Sequence, residues 1–219
     1  MQGHALEMTV NVHGNHVVQM CLDFLSDDAS KQPIFEAVLA NCGLVATDKH
    51  GCCVIQKLLN TPDLPIKVRS PLSLQERLIE QCLLYLEQLI DDQYGNYVVQ
   101  QILKFNDPRF NLRICEFVCA DFVHYCLQKI SSNVVEQAVR LSSLECKKFV
   151  FNYLLKNGAA LQEIMLDQYG NYVAQAVFQK SYDLQDQTYF NCFYEVFNKS
   201  LEDLKRVSFG KKLIQKICD

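Results

Sequence analysis

Five side-chain triplets recur along the chain, each built from one residue, its immediate successor and the residue four places on. Asn15/His16/Gln19, Asn96/Tyr97/Gln100 and Asn171/Tyr172/Gln175 place two amides beside a flat ring. Cys52/Cys53/Gln56 keeps only the second amide, and Ser132/Asn133/Glu136 puts a carboxylate in its place. An amide donates and accepts hydrogen bonds, whereas a carboxylate only accepts. Two amides can meet an edge with two carbonyls around an N–H, which is the edge of uracil. A carboxylate suits the two adjacent N–H donors of guanine, and a lone Gln amide meets the acceptor and donor of adenine. Tyr97, Tyr172 and His16 offer faces on which a base stacks, worth about 1–3 kcal/mol per base. Single-stranded RNA with splayed bases is what such a surface reads.

These residues need a support that holds them in register. The heptapeptide Asp92–Val98 returns unchanged as Asp167–Val173, 75 positions later, and looser copies begin at His13, His50, Ser131 and Phe209. Self-similarity at a fixed period marks a repeat architecture. Taking Asn15, Cys52, Asn96, Ser132, Asn171 and Lys211 as equivalent, the steps are 37, 44, 36, 39 and 40 residues. In the third repeat Val98, Val99, Ile102 and Leu103 form an apolar stripe at helical spacing. Asn96, Tyr97, Gln100 and Lys104 fall opposite and are expected to face outward together. A merely solvated face drifts toward Lys and Glu. This one keeps amides and small residues at fixed places.

The repeats fall at residues 1–29, 30–70, 71–107, 108–142, 143–184 and 185–219, all in one domain. The first is partial, with only about a dozen residues before His13, too few for a full helix and turn. Its stripe is Val17, Val18, Cys21 and Leu22. In the second repeat Gln32-Pro33 is expected to open a helix through Phe35, Val38 and Leu39, with Pro near a first-turn position. Three prolines between Thr61 and Pro71 predict an exposed loop. Ser73 and Glu76 have capping-box spacing, ahead of one helix through Leu78, Ile79, Cys82, Leu83, Leu86 and Ile90. Asn106-Asp107-Pro108 closes the third repeat. The next first helices carry Leu112, Cys115, Val118 and Phe122, then Phe149, Val150, Tyr153 and Leu154, with a break at Asn157-Gly158. Phe190, Phe193, Val196 and Phe197 close the array, followed by Leu213, Ile214 and Ile217.

Gly14, Gly51, Gly95, Gly170 and Gly210 sit just before the second helix of their repeats, with Ser131 in that place in the fourth. A turn with a tight or positive-φ backbone is the expectation. Each repeat thus reads helix, turn, helix, with an apolar side too large to bury alone. Stacking buries it and gives an all-α, curved helical solenoid.

Bulk properties narrow the function. The chain has 219 residues and 49% hydrophobic content, ample for a core. It has no long uncharged apolar run, so no membrane span is expected. The N-terminus lacks signal-peptide character, so the 11 cysteines are expected as free thiols in a reducing, cytoplasmic setting. Net charge is −4 and the isoelectric point about 5.7. Binders that rely on phosphate contacts are mostly basic, so RNA binding must rest on a local surface. A catalytic thiol would need Cys126 near His124 or Cys52 near His50, neighbours that eleven thiols and five histidines produce by chance. Zinc is disfavoured, because Cys115 and Cys119 have no matching pair. No catalytic residue, metal or cofactor is expected. A helical-repeat scaffold for proteins, or an RNA binder without base readout, are the rival readings.

The triplets resemble those of Pumilio/PUF repeats, in which the first, second and fifth residues of a motif on the second helix read one base. The resemblance covers nearly the whole chain and implies a right-handed solenoid of stacked PUF repeats. It implies uracil for Asn15/His16/Gln19, Asn96/Tyr97/Gln100 and Asn171/Tyr172/Gln175, guanine for Ser132/Asn133/Glu136 and adenine for Cys52/Cys53/Gln56. RNA runs antiparallel to the protein in this family, so the triplets read U, G, U, A, U from the five-prime end. This implies a monomer that binds UGUA-type elements in messenger RNA three-prime untranslated regions and recruits co-repressors on its convex face. Three features depart from the family pattern. Five readers and a terminal unit replace the usual eight repeats. Cys53 stands where the adenine reader often has Arg. Lys211/Lys212/Gln215 fits no reader and resembles the family's C-terminal cap.

Overall fold

The computed structural model describes residues 4–25, 28–61, 72–184 and 187–218. Among these there are 17 α-helices and no strand. Two compact units divide the chain, residues 1–105 and 106–219. The proline-rich stretch from Pro62 to Pro71 lies outside the described residues, so the loop expected there is not among the elements below.

Where the sequence pattern predicts two helices per repeat, a full repeat has three. A long first helix comes first: α3 (Asp28–Ala40), α6 (Leu74–Leu84), α9 (Pro108–Ala120), α12 (Leu144–Lys156) and α15 (Gln187–Lys199). A short helix follows: α1 (Ala5–Val10), α4 (Cys42–Thr47), α7 (Leu86–Asp91), α10 (Phe122–Leu127), α13 (Gly158–Leu166) and α16 (Leu201–Leu204). The second helix ends the repeat: α2 (Gly14–Phe24), α5 (Gly51–Asn60), α8 (Gly95–Phe105), α11 (Ser131–Leu141), α14 (Gly170–Tyr182) and α17 (Gly210–Cys218).

The break after the first helix has a local cause. At Asn41 and Asn157 the backbone N–H reaches the carbonyl three residues back instead of four, and at Ser200 it is shared between the carbonyls three and four back. The side chain of the same residue also donates to the carbonyl four back: Asn41 to Ala37, Asn157 to Tyr153 and Ser200 to Val196, all at 2.8–2.9 Å. Such side chains compete with the helix for backbone partners. The expected single helix from Leu78 to Ile90 breaks at Tyr85, whose N–H reaches back to Cys82; this leaves Leu86 and Ile90 on α7 and, by the break at Asp121, Phe122 on α10.

Within the first unit α2 packs on α5 and α5 on α8, while α3 packs on α6 and α4 on α7. Polar contacts pin this stacking. Gln101 donates to Asn60 Oδ1 at 2.7 Å across α8 and α5, and Lys57 pairs with Asp23 across α5 and α2. The Cys42 and Cys82 sulfurs touch at 3.4 Å in the core between α4 and α6. Within the second unit α11 packs on α14 and α14 on α17, with α9 on α12 and α12 on α15. Its core holds an aromatic group in which Phe151 meets Phe193, and Phe178 meets Phe197, edge to face at 5.7 and 5.8 Å. All eleven cysteines are free thiols.

Several expectations about single residues are corrected. Pro33 lies inside α3, beyond its first turn. Burial of Phe35 and Val38 carries the helix through the missing bond. Phe149 is exposed, because the buried face of α12 is Val150, Phe151 and Leu154. Leu112 and Tyr153 are only half-buried. Val17 is exposed and continues a stripe with Met20 and Phe24 that no described helix covers. Other expectations hold. Ser73 and Glu76 form both bonds of the capping box. Asn106 takes the left-handed conformation, φ 58°, that ends α8, and Asp107-Pro108 starts α9.

Candidate nucleic-acid interface

The triplets sit in the first turns of the second helices, and two local devices fix where those turns begin. Asn11, Asp48, Asp92 and Asp167 each accept the N–H groups two and three residues on, at 2.7–2.9 Å. These side chains satisfy donors that the start of a helix leaves orphaned. This is the work of the aspartate that opens the repeated heptapeptide, a role the sequence reading did not assign.

The second device is the glycine. Among the described residues no glycine has positive φ, contrary to one of the two expectations. Close approach is the reason for the residue. A Cβ at Gly14 would lie 2.6 Å from the Met8 carbonyl oxygen, and one at Gly170 2.7 Å from that of Ile164. The other three glycines press on the equivalent residue, six positions earlier, in the same way. Ser131 solves the problem differently, since its hydroxyl donates to the Tyr125 carbonyl, also six residues back, at 3.1 Å. A side chain is tolerated there because it bonds the oxygen it would otherwise crowd.

All five triplets share one pattern of exposure. The first residue is buried, the second exposed and the fifth half-buried. The expectation that all three face outward therefore fails for the first: Asn15, Cys52, Asn96, Ser132 and Asn171 are 2–6% exposed. Each follows the glycine or serine that presses on the short helix, and that contact covers it. The rings of Tyr97 and Tyr172 are 53% and 54% exposed, and His16, Cys53 and Asn133 are open as well. In the closing unit Lys211, Lys212 and Gln215 are all exposed, unlike any reader.

Hydrogen bonding sorts the triplets into the three classes that their composition suggests. In Asn15/Gln19, Asn96/Gln100 and Asn171/Gln175 the Gln amide donates to the Asn Oδ1 at 3.1, 2.9 and 3.0 Å. The Asn amide in turn donates to backbone carbonyls, such as Asp92 and Asp167. Each pair is thus a directed chain that leaves the Gln carbonyl and one Gln N–H for a base. Gln56 has no side-chain acceptor beside it and donates to the Cys52 backbone carbonyl at 3.2 Å. Glu136 accepts from Arg140 Nε at 2.8 Å. Within the first unit the packing of α2, α5 and α8 puts three triplets on neighbouring helices. In the second, α11 and α14 do the same for the other two.

Charge also differs locally. The six second helices carry seven Lys or Arg residues, Lys57, Lys104, Arg140, Lys180, Lys211, Lys212 and Lys216, against only Asp23 and Glu136. Three of the cations lie on α17, and the five helices that hold the triplets carry four cations against the two carboxylates. The thiols show the opposite of nucleophile chemistry. Burial pushes Cys52 up to about 12 and Cys126 well above the usual thiol range, so both stay protonated. Among the described residues no group of His, Cys, Asp and Glu could hold a metal ion, and no helix is long and apolar enough to cross a membrane.

Comparisons with known proteins agree with this geometry. The family model for the Pumilio-family RNA binding repeat matches residues 4–39, 41–67, 92–118, 121–155 and 161–187. Pumilio homolog 12 of Arabidopsis thaliana is 32% identical over 204 residues, which is 93% of this chain and 32% of the relative. Pumilio homology domain family member 4 of Saccharomyces cerevisiae is 26% identical over 98% of this chain and 24% of its own length. The chain therefore spans a quarter to a third of the curated relatives it matches. The Puf4 RNA binding domain, solved bound to an RNA 3′ UTR recognition sequence of HO endonuclease, superposes with a TM-score of 0.84. That match has 26% identity and covers 98% of this chain and 65% of that one.

Proposed function

The chain belongs to the Pumilio family of RNA binding repeat proteins, and on that premise we propose that it reads single-stranded RNA one base per repeat, without catalysis. One observation carries the base assignments. Three Asn–Gln pairs repeat the same internal hydrogen bond and present the same two free groups, beside an exposed ring. Uracil offers an N–H flanked by carbonyls to that pair. Glu136, an acceptor alone, suits guanine, and the Gln56 amide, donor and acceptor together, suits adenine. Read antiparallel, the order is U-G-U-A-U, with Gln175 at the five-prime end and Gln19 at the three-prime end. Cys53 has no ring, so stacking at the adenine is weak.

The relatives' RNA complexes support messenger three-prime untranslated regions as targets, and with them control of translation or message stability in the cytoplasm. The chain would act there as a monomer, with co-repressor proteins recruited on the surface away from the triplets. Selection from a random RNA pool by the purified chain tests the reading. Enrichment of UGUAU is the expected result. A pool with no shared sequence, or one enriched for a stem-loop, would refute base readout.

A further inference from the structure

The three uracil readers share the Asn–Gln bond, and one further contact sets the last of them apart. Lys216, on α17, reaches back to the preceding repeat and donates from Nζ to Gln175 Oε1 at 2.8 Å. Within the first unit the counterparts of Lys216 turn elsewhere: Lys57 on α5, which follows the Gln19 reader, pairs with Asp23, and Gln101 on α8, which follows the Gln56 reader, bonds Asn60.

An ammonium can only donate, so the Gln175 atom that faces it is the oxygen, and the nitrogen is the atom that faces Asn171. Asn171 donates onward to the Asp167 and Gln168 carbonyls. The Gln175 amide is therefore fixed at both ends, which a tie to Asn171 alone does not achieve. It keeps one lone pair on Oε1 and one N–H, and Lys216 keeps two N–H groups close by.

We infer that Lys216 is a specificity-determining residue of the last base reader, completing a donor–acceptor–donor array with the Gln175 amide that selects uracil. The inference rests on the base-reading proposal above. Oε1 takes the uracil N3–H, while the Gln175 N–H and the Lys216 ammonium take the carbonyls on either side. Cytosine places a bare ring nitrogen against Oε1 and an amino group against a donor. Adenine likewise turns an acceptor and an amino group to the site. A cation beside the oxygen penalises both amino bases. At the Gln19 reader Lys57 is turned to Asp23 and the array lacks its third member, so selection is weaker there.

The test compares wild type, Lys216→Met and Lys216→Arg by fluorescence anisotropy on three RNAs that contain UGUAU, CGUAU or UGCAU, at two salt concentrations. Lys216 is exposed, so its replacement leaves the core intact, and thermal melts check this. Expected is a roughly tenfold loss for Lys216→Met on UGUAU, little change on CGUAU, an unchanged penalty for UGCAU, and rescue by Arg. An equal loss on UGUAU and CGUAU, with a shallower salt dependence, would make Lys216 a phosphate contact and overturn the inference. So would a full preference for UGUAU over CGUAU in Lys216→Met. If wild type itself does not distinguish these two RNAs, the base assignment of Gln175 falls and the inference with it.

Discussion

Arg140 and Glu136 are bonded one turn apart on α11, the guanidinium Nε lying 2.8 Å from the carboxylate. The pair is partly exposed, and an i,i+4 pair of this kind is worth only about 0.3–0.5 kcal/mol to the fold. Its larger effect is to hold one carboxylate oxygen in place. Replacing Arg140 with Met is expected to leave the melting temperature nearly unchanged. Affinity for UGUAU should fall by about 1 kcal/mol, the scale of one hydrogen bond. A titration that shows an equal loss on an RNA lacking the guanine would contradict the positioning role.

Glu136→Gln changes an acceptor pair into an acceptor and a donor. Binding to UGUAU should weaken by roughly 1–3 kcal/mol, and binding to UAUAU should improve. Equal losses on the two RNAs would remove Glu136 from the guanine assignment.

Exposed rings are expected to contribute to binding without supporting the core. Tyr97→Ala and Tyr172→Ala should each cost about 1–3 kcal/mol of RNA affinity with little change in melting. Cys53→Tyr should gain affinity, because it supplies the face that the adenine reader lacks. No gain in a direct binding measurement would mean the base there does not stack on that position.

Close contacts at the start of the second helices make a prediction about stability alone. Gly170→Ala forces a methyl group onto the Ile164 carbonyl and should destabilise the fold by about 1–3 kcal/mol. Gly158 meets only Val196, at an ordinary 3.7 Å, and Gly158→Ala should be neutral or stabilising. Ser131→Ala removes the bond to Tyr125 and should cost about 1 kcal/mol. Urea titrations in which the two glycine variants behave alike would refute the contact argument.

Buried thiols set an alkaline limit. Burial raises Cys52, Cys115 and Cys119 to about 12, against roughly 8.5 in an unfolded chain. Above that lower value the unfolded chain loses protons that the folded chain keeps, so stability declines as pH rises. Their contribution is complete below about pH 8.5 and is lost toward pH 12. Melting temperature should fall steadily between pH 9 and pH 11 (roughly the span between those two values). A flat profile would show that these thiols ionise as freely in the fold as outside it.

Much of the fold was legible because apolar stripes and a repeated heptapeptide survive in the sequence. The division of each repeat into three helices was not, because Leu86 and Ile90 continue the apolar spacing straight across the break at Tyr85. The phase of α12 was misjudged at Phe149, since Phe149, Val150 and Phe151 are adjacent and spacing alone does not choose among them. The glycine positions were evident but half of the reason offered was wrong. Crowding depends on where the preceding helix leaves its carbonyl, which no local pattern reveals. Lys216 was missed as part of a reader because its partner lies 41 residues away. The Asn positions were found, yet their burial was not foreseen, since the short helix that covers them was unseen.

That burial separates two kinds of position within each triplet. Asn171 gives its amide to the backbone and its oxygen to Gln175, so exchanging it disturbs folding and recognition together. The Tyr172 ring is exposed, so its replacement is expected to affect recognition alone. Lineages of such repeats are therefore expected to explore new targets first through the ring and the fifth residue, while the first residue lags behind as a slow-changing keystone.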